Sequence, residues 1–127
     1  MGKRKAGQQE IVQEILHSSN RPLLPAEILA IAASRGQRLG LATVYRALRN
    51  LSEAGEIVSV FIQNEAPRYE YVKSGHHHHF LCRKCHAVFD ISGCLGKEAF
   101  LPMIPGNFRM DDHEITLHGV CAACAQH

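Results

Sequence analysis

The chain has 127 residues, with 14 Lys and Arg against 12 Asp and Glu for a formal net charge of +2, a size that allows one ordinary domain or two small ones. No apolar run approaches the roughly 18 residues that a membrane span needs, and no apolar signal-peptide core follows the basic residues 1–6. A soluble, cytoplasmic protein without a membrane partner is therefore expected. The charge is uneven: residues 1–60 carry eight Lys and Arg against five Glu, and the remainder six against seven acids. A mildly basic first half fits a polyanionic partner, although a solvated surface is the usual origin of so small an excess.

Residues 8–18 place Ile11, Val12, Ile15 and Leu16 on one side of a predicted helix, which Asn20-Arg21-Pro22 ends. A second helix begins at Pro25-Ala26-Glu27, where proline suits a first turn. It turns Ile28, Leu29, Ile31 and Ala32 inward and closes at Gly36. A third covers residues 41–54, with Val44, Leu48 and Leu51 at i, i+4 and i+7 and Gly55 as its stop. Its outward face shows Thr43, Arg46, Arg49, Asn50 and Glu53, with Tyr45 beside them. Two β-prone runs, 57–62 and 69–73, flank Gln63-Asn64-Glu65-Ala66-Pro67 as a hairpin. Three short helices followed by a two-stranded wing make a winged helix-turn-helix.

The third helix has a bland reading, a packed helix with a hydrated outer face, and pattern alone does not separate it from a functional one. Its residue types suit a major groove: arginine grips phosphates or guanine edges, while Tyr and Thr touch thymine methyls. Thr43, Tyr45, Arg46, Arg49 and Asn50 are accordingly the candidate DNA-binding residues.

Around Lys73-Ser74-Gly75 the pattern changes, dividing the chain into residues 1–73 and 74–127. Strands are expected at 78–82, 87–91 and 114–118. Residues 94–101 form a candidate short helix, ended by Pro102 and Pro105-Gly106. The second part is dominated by metal-binding side chains. His76-His77-His78-His79 precede a Cys-x-x-C pair, Cys82 and Cys85, and a second pair, Cys121 and Cys124, follows after 35 intervening residues. Each pair supplies two thiolates from a tight turn, and tetrahedral Zn(II) takes four. Such a site has no open position, so its role is folding. A half of roughly 50 residues has little core and gains from a metal staple. Redox-active Cys-x-x-C and disulfide pairing are the competing readings of the thiols.

In a strand, successive side chains point to opposite faces, so His77 and His79 share one side and His76 and His78 the other. Glu70, Asp90 and, further on, His113 are available to complete two separate sites. The alternative is a solvated polar run that binds metal loosely. Cys94 belongs to neither pair; a small buried hydrophobe is the favoured reading and a metal ligand the other.

The runs Gly40-Leu41-Ala42-Thr43-Val44-Tyr45-Arg46-Ala47-Leu48 and Ala54-Gly55-Glu56-Ile57 closely resemble the recognition-helix motif of the ferric uptake regulator family. So do Tyr69-Glu70-Tyr71, residues 76–85, and His113-Glu114-Ile115-Thr116-Leu117-His118-Gly119-Val120-Cys121. The resemblance covers nearly the whole chain. It implies an α+β protein: an N-terminal winged helix-turn-helix, then a small α/β dimerisation domain with a four-cysteine zinc site. It further implies a homodimeric, metal-dependent repressor that binds double-stranded operator DNA and controls metal homeostasis.

Residue by residue, the resemblance makes Cys82, Cys85, Cys121 and Cys124 the structural zinc ligands. Glu70, His77, His79 and Asp90 become the regulatory metal site. His76, His78 and His113 form a second one, with Glu98 as its candidate acidic member. The chain departs from the family where Leu23 stands in place of a ligand histidine, and where its first helix lacks a Thr-x-x-Arg entry. Lys3, Arg4 and Lys5 are candidates for the phosphate contacts so lost. The unbroken histidine run resembles the zinc uptake regulator branch, whereas the iron branch more often has Asp at His78. The zinc branch usually places a Cys near Val72. Zn(II) is the favoured regulatory metal, with Fe(II) or Mn(II) as alternatives. A peroxide-sensing member of the same family and a small zinc enzyme using His77 and His79 are the rival functions.

Overall fold

In the computed structural model, which describes residues 7–73 and 76–126, the helical periodicity of the first part closes around a single apolar cluster. The chain divides into two units, Met1–Lys73 and Ser74–His127. Lys3, Arg4, Lys5, Ser74 and Gly75 lie outside the described residues.

The first unit consists of α1 (Gln8–Ser19), α2 (Pro25–Ser34), α3 (Leu41–Glu53) and the antiparallel strands β1 (Ile57–Val60) and β2 (Arg68–Tyr71). Val12, Ile15 and Leu16 of α1 meet Ile28 and Ala32 of α2 and Val44, Ala47, Leu48 and Leu51 of α3, with Ile57 closing the cluster. Full burial of a branched aliphatic side chain stabilises by about 1.5–3 kcal/mol, so these stripes hold the three helices together. Gly55, at φ 76°, turns the chain out of α3 into the hairpin.

The start of α2 is fixed by Glu27. One carboxylate oxygen accepts the Leu24 N–H at 2.9 Å and the other lies 3.0 Å from Arg21 Nη1. Leu23 is fully buried and exchanges two 2.9 Å backbone hydrogen bonds with Tyr69, fastening the loop before α2 to β2. Residue 23 is thus part of the packing. The hairpin strands are shorter than the β-prone runs: β1 stops at Val60, and β2 starts one residue early, at Arg68, and stops at Tyr71. Buried Ile62 instead begins the turn, its carbonyl accepting the Glu65 N–H at 2.9 Å, and Asn64 takes φ 66°.

The second unit is a three-stranded sheet ordered β4-β3-β5, from β3 (His78–Cys82), β4 (Val88–Ile91) and β5 (Thr116–Gly119). β3 pairs antiparallel with β4 and parallel with β5. The Phe80 ring lies over Gly119, where a Cβ would stand 3.0 Å from the ring's Cζ, so glycine permits this close pairing of β3 with β5. The helix expected over 94–101 is not formed. Gly96 adopts φ 86°, and the segment folds as two 3₁₀ turns, Lys97–Ala99 and Leu101–Met103, with Pro102 inside the second. β5 begins at Thr116 rather than Glu114, and a short α4 (Ala122–Ala125) carries the last cysteine.

Leu48→Ala should lower the unfolding free energy of the first unit by about 2–5 kcal/mol, the usual cost of a cavity at a fully packed leucine. Urea denaturation followed by helical circular dichroism measures it.

Candidate functional site

Because β3 and β5 run the same way, both Cys-x-x-C turns leave the sheet at one end. Cys82 is the last residue of β3, and the Arg83 N–H donates to the Gly119 carbonyl at the end of β5 over 2.7 Å. The knuckle after β3 closes with His86 N–H donating to Cys82 O at 2.9 Å and His86 at φ 63°. Beyond β5, Cys121 precedes α4, and the Ala125 N–H donates to its carbonyl at 2.8 Å. The sulfurs of Cys82, Cys85, Cys121 and Cys124 all lie within 4.8 Å of one another. Cys85 Sγ and Cys121 Sγ are 3.9 Å apart, close to the roughly 3.8 Å edge of a tetrahedron with zinc–sulfur bonds of about 2.3 Å.

All five cysteines are free thiols, so the pairs are not joined as disulfides. Buried Cys82 accepts the Cys85 and Cys121 N–H groups, each at 3.4 Å. These bonds, Cys85 first, pull its pKa from 9.0 down to about 6. Cys124 moves the other way, to about 12, because its thiol shares a hydrogen bond with Cys121 and burial disfavours its anion. Four sulfurs this close do not all ionise alone; a dication makes the four-thiolate state accessible. The donor set therefore fits Zn(II), with no position left for water.

The pleat of β3 separates the histidines. His79 pairs in register with Asp90 of β4, and its Nε2 lies 3.2 Å from Asp90 Oδ1. His77, two residues earlier on the same face, places its Nε2 3.6 Å from the same oxygen, and the two rings are 5.1 Å apart. Two imidazoles and a carboxylate thus converge within the second unit. Glu70 is a buried residue of β2, in the first unit, with Oε2 3.6 Å from Lys73 Nζ.

On the opposite face His76 Nε2 lies 3.0 Å from His78 Nε2 and 3.1 Å from His113 Nε2. The fourth member is Cys94, whose Sγ is 3.4 Å from His78 Nε2 and 3.1 Å from His113 Nε2. Cys94 is exposed, which corrects its favoured reading as a buried hydrophobe. Glu98 is exposed and is not a member of the group. The second reading of Cys94, as a metal ligand, is the one the geometry fits, and Gly93 and Gly96, at φ 94° and 86°, turn the chain on either side of it. Burial, and then the neighbouring His76 and His113, lower the pKa of His78, which favours its neutral form.

On α3 the buried positions Val44, Ala47, Leu48 and Leu51 leave Arg46 and Arg49 at the centre of the exposed side. Tyr45 is about half exposed and Thr43 sits at the margin, half-buried. Arg46 Nη2 is 3.4 Å from Thr43 Oγ1. The Asn50 side-chain amide donates to Gln9 Oε1 of α1 at 3.1 Å, so this residue also ties two helices together.

The Ferric uptake regulator family matches residues 1–118 of the chain. The Ferric uptake regulation protein of Bacillus subtilis (strain 168) is 30% identical over 122 residues, 92% of this chain and 82% of that protein. Among solved structures, the ferric uptake regulator from Francisella tularensis with iron is similar at TM-score 0.70 and 26% identity, covering 98% of this chain and 96% of that one. A zinc-bound manganese uptake regulator gives TM-score 0.73 and 27% identity, with 94% and 92% covered.

Removing one thiol should empty the sulfur centre: Cys82→Ser is expected to lower zinc content and the melting temperature of the second unit without unfolding it, read by metal analysis and thermal melting. In metal-free protein the sign of the pH dependence follows from the shifts. Cys82 is depressed from 9.0 to about 6, so its stabilisation is full above 9.0 and fades as pH falls to about 6. Cys124, raised from 9.0 to about 12, acts oppositely, contributing below 9.0 and losing that contribution as pH rises. The urea midpoint of the metal-free chain should therefore climb from about pH 6 to about pH 9, and Cys82→Ser should flatten the climb.

Proposed function

The chain belongs to the ferric uptake regulator family, and we propose that it is a homodimeric repressor whose grip on double-stranded operator DNA depends on an exchangeable divalent metal. It is a metal-responsive transcriptional regulator, not an enzyme; the reading of His77 and His79 as a catalytic zinc site gives way to that membership. In the proposal the four cysteines hold a resident structural Zn(II). His77, His79 and Asp90, with Glu70, take the regulatory ion. Thr43, Tyr45, Arg46, Arg49 and Asn50 meet the major groove. No helix of the described residues is long and apolar enough to cross a membrane.

The observation that carries the proposal is the convergence of His77 and His79 on one carboxylate oxygen of Asp90, on the face of β3 away from His78. A group of two imidazoles and a carboxylate holds a divalent ion less tightly than four thiolates hold zinc and so suits an exchangeable ion. The proposed ligands come from both units, so an ion holding all of them favours one arrangement of the chain. That preference is all it contributes to DNA binding. Zn(II) is favoured as the regulatory ion by the unbroken histidine run. Fe(II) and Mn(II) suit the same imidazole and oxygen donors, and a peroxide-sensing variant would use Fe(II) there. The winged helix-turn-helix supplies the reading element: an exposed arginine pair on a helix whose other face is fully packed.

Mobility-shift titrations with chelator and with Zn(II), Fe(II) or Mn(II) in turn test this directly. Operator affinity should rise with the sensed metal, and equal affinity in all conditions would remove the sensing role. His77→Ala should abolish the metal response while keeping the zinc held by the four cysteines. Arg46→Ala should weaken operator binding by about 1–3 kcal/mol with zinc content and association state unchanged.

A further inference from the structure

The face of β3 that carries His76 and His78 holds a donor set that the regulatory proposal does not use. We propose that Cys94 is the fourth ligand of a closed metal centre with His76, His78 and His113, and that its thiolate commits this centre to a zinc-class ion over Fe(II) or Mn(II). The inference rests on the reading that this histidine group binds metal, and adds to it the identity of the last ligand and the class of ion.

The geometry is that of a coordination shell. A tetrahedral zinc ion with nitrogen at about 2.0–2.1 Å and sulfur at about 2.3 Å sets nitrogen–nitrogen edges of about 3.3 Å and nitrogen–sulfur edges of about 3.6 Å. The edges here are 3.0 and 3.1 Å between imidazole nitrogens and 3.1 and 3.4 Å from nitrogen to sulfur. All four donor atoms lie within 4.8 Å of one another. Each imidazole presents the same atom, Nε2, toward the others. Neutral rings have one donor and one acceptor nitrogen, so three converging Nε2 atoms cannot all satisfy one another by hydrogen bonds. A shared cation satisfies them together. The ring of Phe100 lies 4.7 Å from that of His113, and His78 is buried, so the site has an apolar wall.

The choice of ion follows from the donors. Thiolate and imidazole select zinc, whereas Fe(II) and Mn(II) are better served by carboxylate oxygen, and the group contains none. Three nitrogens and a sulfur complete a tetrahedron within the second unit alone. The positions of the ligands also give the centre a mechanical role. Cys94 follows β4 closely and His113 shortly precedes β5, while His78 opens β3 and His76 lies two residues before it. A bound ion fastens both ends of the long connection between β4 and β5 to the strand between them.

The test uses the full chain carrying His77→Ala, which disables the regulatory group, with zinc kept on the four cysteines and Co(II) as the probe. One further Co(II) per chain should bind with tetrahedral ligand-field bands and a sulfur-to-cobalt charge-transfer band. Adding Cys94→Ser should abolish the charge-transfer band and weaken Co(II) binding by about a hundredfold, at or above the cost of losing a supporting contact. Adding Cys94→Asp should restore binding but raise competition by Mn(II). Zinc content and circular dichroism establish that these variants fold. A charge-transfer band that persists in Cys94→Ser, or Co(II) bound without one, overturns Cys94 as the ligand while leaving the histidine centre standing. No Co(II) uptake overturns the histidine centre itself. None of these readouts involves DNA, so loss of the operator response would sink the regulator proposal without touching this one.

Discussion

The parallel pairing of β3 with β5 is the constraint on which the second unit depends. Parallel neighbours start at the same end of a sheet and finish at the same end. Cys82 and the knuckle that follows it therefore emerge beside Cys121 and Cys124, while His76, His78 and His113 gather at the opposite end. An antiparallel pairing would have sent the second cysteine pair toward the histidines and left each group with half its donors. The pairing is a close one, since the Phe80 ring occupies the space above Gly119.

A parallel pair also needs a long connection between its strands. Residues between β4 and β5 supply it with 3₁₀ turns and little buried apolar surface. A small unit built this way has few packing contacts with which to hold itself together. Clusters of ligand atoms at both ends of the sheet are the physical answer available to it: the four sulfurs where the strands finish, and the three imidazoles with Cys94 where they begin. The first unit needs no such device. Its three helices share one apolar cluster, which leaves the exposed side of α3 free to carry arginines without cost to the packing behind it.

Two residues show how packing reassigns side chains that a pattern treats as surface or site. Asn50 stands on the outward side of α3, yet its amide is engaged by Gln9 of α1. Leu23 occupies a position where relatives are expected to bring a ligand, and here it is buried and bridged to β2. In both cases the partner comes from a distant part of the chain, where no local pattern reports it.

What the sequence determined by itself were the features set by short-range periodicity. The apolar stripes of α1 and α3 follow from 3.6 residues per turn, and the sorting of four adjacent histidines into two faces follows from the two-residue repeat of a strand. The pairing of thiols within each Cys-x-x-C follows from the reach of a tight turn. Motif resemblance added the family. Only the tertiary structure decided what depends on the path of the chain between elements. It brought the two cysteine pairs to one end of the sheet, broke the expected helix at Gly96, and carried the exposed thiol of Cys94 to three imidazoles. Those outcomes turn on a parallel register and on left-handed glycine turns, and their effect is on residues far apart in the chain, which no window along the sequence contains.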